Sequence, residues 1–363
     1  MIYLLVFIIC YLLIRIGEQD KRNGTFYYIC ITLAVCFLVL FAGLRDNSVG
    51  ADTAAYPLEV FEFSQSEHSF VEVLAFAIII EPLYVLLGYF ATHIIANDFH
   101  VWLGICHAVI IVPIYLGAIR MKKFVSVSSF TFFFCFLFFH VTLNIQRQWM
   151  AVGIIYLGFT YLLLDRKLKT FILCLIIAFF FHKSAIFALI FIPIFYMKGK
   201  TPNRWLIAGS LFLLVAYNFV LSSAISMLGM DKYSQYASGG EWESGFSISE
   251  FLIRIVFITV LLSFKNKNHG NILYYDVITI LLIEFIINML QIWSQYMGRL
   301  GVYAYMLYLP FLSYYIKTSS AKNKKHVYYS VLFLITIGYW WLVFVEKNAG
   351  YTFPYESEVL GIK

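Results

Sequence analysis

The sequence predicts an all-α, polytopic integral membrane protein, and three observations carry that prediction. The 363 residues are 62% hydrophobic and only 13% charged, whereas soluble domains carry about 25% charged residues. Long apolar runs alternate with short cationic clusters, and two further apolar stretches are broken near their middles. We therefore expect about ten full transmembrane helices and two broken or re-entrant helical hairpins around an outward-facing cavity.

Ten apolar runs approach the roughly 17–25 residues that a helix needs to cross a bilayer. The first run lacks leading cations and a small-residue cleavage site, so we interpret it as a retained helix rather than a signal peptide. The runs are residues 2–16, 26–44, 99–119, 129–145, 149–164, 205–225, 248–264, 272–290, 299–316 and 327–345.

The cationic clusters predict the orientation, because Lys and Arg concentrate in cytoplasmic loops. Placing every cluster inside puts both termini outside, and ten crossings satisfy that parity. The clusters are Arg15/Lys21/Arg22, Arg120/Lys122/Lys123, Arg166/Lys167/Lys169, Lys198/Lys200/Arg204, Lys265/Lys267 and Lys317/Lys322/Lys324/Lys325.

Two stretches do not fit as single crossings. Residues 170–197 have cations at both ends and are broken by His182-Lys183-Ser184. Residues 70–95 must enter and leave from the outer face, and Glu81-Pro82 breaks them because proline removes a helix donor. Irregular backbone at membrane depth is tolerated only beside protein or a water-filled cavity. Both breaks therefore predict an internal cavity that is open to the outer face.

We expect one integral membrane domain over residues 1–363, without internal repeats. Its larger polar segments lie on the predicted outer side, which indicates that the protein works there. These segments are the loops 45–69, 226–247 and 291–298 and the tail 346–363.

Four arginines lie at or near the outer ends of apolar runs, where topology does not explain a cation. They are Arg45, Arg147, Arg254 and Arg299. A charge so near the membrane is costly unless it is paired or hydrated, so we expect a site for an anion. Glu284 lies well within an apolar run, and either it neutralises one of these arginines as a structural pair or it is itself a site residue.

The first outer loop has the features of an anion-binding turn. Gly50 allows a tight turn, and Asp52-Thr53 is placed to cap a helix running through Tyr56 whose N–H groups would face the anion. The alternative is an ordinary loop with an ion pair from Arg45 to Asp46 or Asp52.

Three further segments carry candidate site residues. Arg147 stands between two glutamines, Gln146 and Gln148, either in a polar pocket or as a snorkelling arginine at the interface.

His182 lies at a helix break beside Lys183 and Ser184. The alternatives to a site role are a structural histidine and a Ser184 that only caps a helix. No Asp lies nearby in sequence, so a hydrolytic triad is unsupported.

The fourth segment is 295–303, where Arg299 and Tyr303 are four residues apart and should share one helical face.

Several functional classes lack support in the sequence. The six cysteines all lie in apolar runs without a CxxC, which is typical of small core residues. There is no DxD, no His/Asp ligand spacing and no nucleotide-binding glycine motif, so we expect no metal and no cofactor. The net charge of +6 sits mostly in the cytoplasmic clusters, which argues against a nucleic-acid partner.

Six segments form a pattern when they are taken in chain order. They are Gly43-Leu44-Arg45, Val49 to Tyr56, Glu81-Pro82-Leu83-Tyr84, Asn144 to Gln148, Ala178 to Ala185, and Arg299 with Tyr303. The pattern resembles the EpsG family of oligosaccharide repeat-unit polymerases, the Wzy-type O-antigen and exopolysaccharide polymerases. Leu83-Tyr84 departs from the Gly-aromatic pair usual after the Glu-Pro.

The resemblance implies a metal-independent glycosyltransferase in the bacterial inner membrane, with a periplasm-facing active site. Its donor is a growing glycan on undecaprenyl diphosphate, and its acceptor is the non-reducing end of a lipid-linked repeat unit. Membrane lipid and a chain-length regulator are the other partners implied. The alternatives are a transporter or flippase of lipid-linked oligosaccharides, for which broken helices are common, and a His-dependent membrane acyltransferase.

The resemblance also gives the candidate residues their roles. Arginines can stabilise a diphosphate leaving group, and a general base must deprotonate the acceptor hydroxyl. Diphosphate binding is assigned to Arg45, Arg147 and Arg299. Arg254 is a further candidate for it, although it matches none of these segments and its alternative is a pair with Glu284. The base is assigned to Asp52, with His182 as second choice, and sugar binding or positioning to Tyr56, Glu81, Gln148, Lys183 and Tyr303.

Overall fold

The computed structural model describes residues 1–20, 24–65, 70–192, 204–212, 215–216, 247–263, 272–292, 298–318 and 325–363. In these residues the secondary structure is helical, and β pairing is limited to one isolated bridge between Ser357 and Ile362. The all-α prediction is confirmed for this part of the chain. The predicted loop 226–247 lies outside the described residues apart from its last one.

The described residues group into two compact units, Met1–Ile186 with Leu309–Lys363, and Phe187–Tyr308. The single domain over residues 1–363 stays a prediction. The first unit contains α1 Ile2–Gln19, α2 Gly24–Gly43, α3 Pro57–Gln65, α4 Phe70–Ile79, α5 Pro82–Phe90, α6 Phe99–Arg120, α7 Val127–Leu137, α8 Phe139–Asn144, α9 Gln146–Asp165 and α10 Leu168–Phe181.

The remaining helices follow the 3₁₀ segment Lys183–Ile190. The second unit contains α11 Ile248–Ser263, α12 Ile272–Met289 and α13 Gly298–Tyr305. The chain then returns to the first unit through α14 Tyr308–Thr318 and α15 Lys325–Trp340, which ends in a π-helical turn Trp341–Glu346. Residues 204–212 are also helical.

Five helical segments are long and apolar enough to cross a membrane: Ile2–Gln19, Gly24–Gly43, Phe99–Arg120, Gln146–Asp165 and Tyr329–Glu346. Shorter apolar helices are Pro82–Ile95, Val127–Leu137, Leu168–Phe181 and Val277–Ile292. These segments support the membrane class that the composition predicts. The apolar run 129–145 is divided because Phe138 leaves helical geometry (φ −123°, ψ −27°), so α7 ends there and α8 begins.

The core of the first unit depends on close helix approach. α6 packs against both α2 and α9, and glycines face each contact. A Cβ on Gly43 would lie 2.8 Å from the Gly104 Cα, and one on Gly153 would lie 2.6 Å from the Ile110 carbonyl oxygen. Small residues let helix backbones meet in this way inside a membrane, where association depends on packing.

Both predicted helix breaks are present. Extended backbone at Glu81 (φ −153°, ψ 132°) separates α4 from α5, which pack against each other. His182 (φ −160°, ψ 121°) ends α10, and the chain continues as a 3₁₀ helix. The breaks at Glu81-Pro82 and at His182 are therefore confirmed, and the re-entrant path of these segments in a membrane stays a prediction.

The C-terminal tail folds back onto the first outer loop, so two segments that the sequence predicts to be outside lie together. Pairing involves both backbones and side chains. The bonds are Gly50 N to Tyr351 O (2.8 Å), Ala51 N to Gly350 O (2.9 Å), Asp46 N to Glu356 O (3.0 Å), Glu358 N to Asp46 Oδ1 (2.9 Å), Ser48 Oγ to Glu356 Oε2 (2.7 Å), and Ser357 Oγ to Leu44 O.

α1 connects this face to the opposite end of the first unit. Near its start, the Tyr3 hydroxyl donates to the Thr352 carbonyl at 2.6 Å. Near its end, the Glu18 carboxylate accepts from the backbone N–H groups and hydroxyls at the start of α7. At that same end, Lys317 donates to the Lys122 and Val125 carbonyls. Lys317 and the cluster at Lys122 thus meet at the end of the first unit opposite the tail, and the orientation of both ends in a membrane stays a prediction.

Replacing Gly50 with alanine should destabilise the first unit. Gly50 has φ +99°, and a Cβ there would lie 2.7 Å from the Leu143 carbonyl oxygen. Such backbone strain costs on the order of 1–3 kcal/mol, so we expect a clearly lower melting temperature in a thermal-shift measurement in detergent. Gly338→Ala is the matched control, because nothing lies within 4 Å of its added Cβ. Equal effects of the two substitutions would contradict this account of Gly50.

Candidate functional site

The turn between α8 and α9 brings together the motifs that the sequence singles out in the first unit. We call residues 143–148 the α8–α9 corner. α8 ends at Asn144, Ile145 turns the chain (φ −95°, ψ 59°), and α9 starts at Gln146. Because hardly any loop intervenes, the corner's backbone and side chains meet several other segments directly.

Arg45 anchors the first outer loop to this corner. Its side chain is fully buried and donates to the Leu143 carbonyl (3.0 Å), the Val49 carbonyl (3.2 Å) and the Ala42 carbonyl. Burial lowers the pKa of Arg45 to about 10, so the guanidinium stays charged at neutral pH. These contacts favour a positioning role for Arg45 within the loop, and its binding of diphosphate stays a prediction.

The expected helix cap at Asp52-Thr53 is wrong. Residues 51–56 form turns, and α3 begins only at Pro57. The Thr53 hydroxyl instead donates to the Val49 carbonyl (2.9 Å) and contacts the Leu143 carbonyl (3.3 Å). The Thr53 side chain thus ties the loop to Leu143, and the helix starts four residues after Thr53.

Asp52 is nevertheless held at the corner. Its backbone N–H donates to the Asn144 side-chain oxygen at 2.8 Å. Gly350 of the tail lies against the same side chain, since a Cβ there would be 3.1 Å from Asn144 Nδ2. Asn144 therefore fixes the Asp52 backbone, and the part-exposed Asp52 remains the candidate base.

Arg147 forms the charged centre of the site. It makes an ion pair with Glu81, with 18% and 9% of the two side chains exposed, and its guanidinium carbon lies 3.8 Å from the centre of the Tyr56 ring. A guanidinium over an aromatic ring gains a cation–π attraction. Arg147 is thus paired and stacked within the protein, which favours a polar site over simple snorkelling.

Lys183 adds a second cation to this group. Burial raises the pKa of the Glu81 carboxyl, and the charges of Arg147 and Lys183 oppose that rise. Lys183 is itself exposed. Two cations and one carboxylate leave these three side chains with a net positive charge at the start of α9, whose helix dipole also favours an anion.

Gln148 connects the corner to the second helix break. Its amide nitrogen donates to the Ser184 hydroxyl at 3.3 Å, and that hydroxyl lies 2.7 Å from His182 Nδ1. The first turn of α9 therefore contacts both breaks, Glu81 through Arg147 and Ser184 through Gln148. The sequence predicts each of these segments as a candidate site, but it does not predict that they meet at the first turn of α9.

Gln146 is a site candidate that the sequence reasoning did not assign. Its side chain is buried, and neither its amide oxygen nor its amide nitrogen has a hydrogen-bond partner among the described residues. The symmetrical Gln146-Arg147-Gln148 motif was the available signal.

In the second unit, the predicted pairing of an outlying arginine with Glu284 is confirmed. Arg254 Nε lies 2.9 Å from Glu284 Oε1, Arg254 Nη1 lies 3.2 Å from Glu250 Oε2, and the guanidinium stacks on Tyr305 at 3.9 Å. Arg254 and Glu284 are both buried. Removing one partner of a buried pair leaves an uncompensated charge, which is strongly destabilising. A structural role accounts for both residues, and diphosphate binding by Arg254 stays a prediction.

Arg299 and Tyr303 both lie on α13, but they differ in burial. Arg299 is exposed in the first turn, whereas Tyr303 is buried. The shared face that the spacing predicts is therefore only partly exposed. Participation of Arg299 and Tyr303 in the same anion site as Arg147 stays a prediction.

Within the described ranges, no three His, Cys, Asp or Glu side chains come together as a metal-binding group. Metal independence of any reaction stays a prediction.

The comparisons with known proteins give one match. A model described as the EpsG family matches residues 27–357, which include every candidate site residue and most of the tail. No curated protein and no solved structure matches the chain.

The Arg147–Glu81 pair should be energetically coupled. A double-mutant cycle with Arg147→Gln and Glu81→Gln, measured by thermal or denaturant unfolding in lipid nanodiscs, should give a coupling free energy within about 0.5–3 kcal/mol. The control pair, Arg120 with Asp165, is more exposed at 26% and 36% of its side chains and should couple by only about 0.2–1 kcal/mol. A smaller coupling for Arg147 with Glu81 than for the control would show that the corner pair is not the stronger contact.

Proposed function

The chain belongs to the EpsG family, and on that premise we propose that it is a membrane glycosyltransferase that polymerises oligosaccharide repeat units. The donor is a glycan on undecaprenyl diphosphate, and the acceptor is the non-reducing end of another lipid-linked repeat unit. The acceptor hydroxyl attacks the anomeric carbon, the bond from that carbon to the diphosphate oxygen breaks, and undecaprenyl diphosphate leaves.

The proposed topology follows the charge distribution. About ten crossings and two re-entrant hairpins would place both termini and the site on the periplasmic face of a bacterial inner membrane. Two observations support it. The tail contacts the first outer loop on one face of the first unit, and Lys317 meets the cationic cluster at Lys122 at the other end.

The single observation that carries the proposal is the position of Arg147. It lies in the first turn of α9, between both helix breaks, and it remains partly exposed while paired with Glu81. A diphosphate leaving group carries its own negative charge, so preorganised cations stabilise it as the glycosidic bond breaks. Arg147 and Lys183 supply that charge in the first unit, and the exposed Arg299 is the proposed contribution of α13.

The other residues take supporting roles. Arg45 positions the first outer loop by donating to carbonyl groups, and Tyr56 offers a ring face to Arg147 or to a sugar. Asp52, tethered through its N–H to Asn144, is the proposed general base for the acceptor hydroxyl. Tyr303 positions substrate from α13.

Arg147→Lys should reduce polymerisation strongly. Lysine keeps the charge but lacks the planar fork that binds two phosphate oxygens, and loss of one preorganised donor typically costs about 100-fold or more in turnover. The measurement is the rate of glycan ladder formation by the purified protein from synthetic undecaprenyl-diphosphate repeat units. Arg15→Lys is the control and should leave the rate unchanged, because Arg15 lies near the end of α1 that is remote from the tail and the first outer loop. A rate for Arg147→Lys equal to that of the control would remove Arg147 from the diphosphate site.

The same ladder should form in the presence of EDTA, because the proposed mechanism uses cationic side chains in place of a metal ion. Loss of the ladder on chelation, with recovery on adding Mg²⁺ or Mn²⁺, would overturn metal independence. Absence of any ladder, together with movement of the lipid-linked oligosaccharide across liposomes, would favour a transporter.

A further inference from the structure

The Glu81 carboxylate occupies a position on Arg147 that an anionic ligand would need. Arg147 Nη1 donates to Glu81 Oε2, and the Tyr56 ring lies over the guanidinium at 3.8 Å from its carbon atom. An arginine fork can hold a phosphate group through two of its nitrogens at once. A diphosphate can therefore make more contacts with Arg147 than the carboxylate makes through Nη1.

Glu81 and a diphosphate have charges of the same sign, so they compete for the same guanidinium. A diphosphate that approached Arg147 while Glu81 stayed in place would meet a carboxylate beside its binding partner, and like charges so close repel each other. The pair of Arg147 with Glu81 is also mostly withdrawn from water, so the cost of desolvation offsets part of its attraction. Both effects favour exchange of the carboxylate for the ligand.

The helix break gives the Glu81 carboxylate a second position. Glu81 is the N-cap residue of α5, with extended backbone (φ −153°, ψ 132°), and its side chain makes no cap hydrogen bond with α5 while it reaches Arg147. The first N–H groups of a helix have no partner within the helix, and the helix dipole stabilises a negative charge beside them. A carboxylate released from Arg147 can turn to the start of α5, so it is not left as an uncompensated charge.

The Tyr56 ring stays available to Arg147 during this exchange. Tyr56 belongs to the first outer loop, which the tail and the α8–α9 corner hold in place. The cation–π contact therefore keeps the guanidinium oriented when its anionic partner changes.

We propose that Glu81 is a displaceable counter-ion of Arg147: it positions the guanidinium before the substrate binds, is replaced by the diphosphate of the lipid-linked substrate, and returns when undecaprenyl diphosphate leaves. The identity of the diphosphate rests on the proposed function. Glu81 is a positioning residue in this role, because it acts through Arg147 and no bond to the substrate forms or breaks at its carboxylate. A resident anion lowers the affinity for the ligand and speeds the release of the product.

Binding of undecaprenyl diphosphate tests the displacement directly. Glu81→Gln keeps the size of the side chain and removes the competing charge. The full-length variant in lipid nanodiscs should therefore bind undecaprenyl diphosphate about tenfold more tightly than the wild type, within the range of coupling between contacting residues. The dissociation constant can be measured by native mass spectrometry. Unchanged or weaker binding by a folded Glu81→Gln variant would overturn the proposal.

Two further variants control for charge and for position. Glu81→Asp retains the carboxylate and should bind the lipid with an affinity closer to that of the wild type than to that of Glu81→Gln. Asp165→Asn makes the same change of charge in the carboxylate that pairs with Arg120, and it should leave the affinity unchanged. Equal tightening in Asp165→Asn and Glu81→Gln would show an effect of net charge alone, which contradicts displacement at Arg147.

The wild-type protein provides a test that does not depend on the folding of Glu81→Gln. In protein labelled with ¹³C-glutamate, the Glu81 carboxyl signal is assigned by its absence from the spectrum of Glu81→Asp. This signal should shift when undecaprenyl diphosphate is added, because the carboxylate changes its partner. A Glu81 signal that stays in place at saturating lipid would show that the pair is not broken.

Steady-state kinetics separate displacement from a merely structural role. In the polymerisation assay Glu81→Gln should lower KM and also lower kcat, because the substrate binds without a competitor and the product leaves without one. A purely structural role for Glu81 predicts the opposite change in KM, since a disordered Arg147 would bind the substrate more weakly. A raised KM in Glu81→Gln would therefore contradict the proposal.

Failure of this inference can be told apart from failure of the proposed function. If Glu81→Gln binds undecaprenyl diphosphate more tightly but the wild type forms no glycan ladder, the polymerase function is wrong and the displacement stands. If the ladder forms but Glu81→Gln binds the lipid no more tightly than the wild type, the displacement is wrong and the polymerase function stands.

Discussion

The α8–α9 corner is the constraint on which the rest of the first unit depends. Within residues 143–148 the Leu143 carbonyl accepts from Arg45, the Asn144 side chain accepts from Asp52, and the first turn of α9 reaches both helix breaks. Successive helical residues point about 100° apart, so Arg147 and Gln148 can engage different segments. A single short turn thereby fixes three parts of the chain that are remote in sequence.

The tail supplies the second support for the same region. It pairs with the first outer loop at Gly50 and Ala51 while Gly350 lies against Asn144. The loop is thus held from one side by the corner and from the other by the chain's last residues. That arrangement explains how a loop rich in small polar residues keeps a defined path without strands or helix caps, and the family match includes both segments.

Local features were predictable and long-range ones were not. The break at Glu81-Pro82 follows from the chemistry of proline, and the Arg254–Glu284 pair follows from the cost of an unpaired charge in an apolar run. The convergence on Arg147 depends on tertiary packing that no spacing encodes. The cap predicted at Asp52-Thr53 is wrong because residues 51–56 form turns, and the Thr53 hydroxyl lies between the Val49 and Leu143 carbonyls.

Burial divides the outlying arginines into two pairs. Arg45 and Arg254 are buried and satisfied within the protein, whereas Arg147 and Arg299 keep exposed surface. In the proposed reaction the diphosphate needs no proton in order to leave; it needs its charge stabilised, which cationic side chains provide. The proton must therefore be taken on the acceptor side. Asp52, whose backbone N–H is held by the Asn144 side chain, is the residue that we propose for that task.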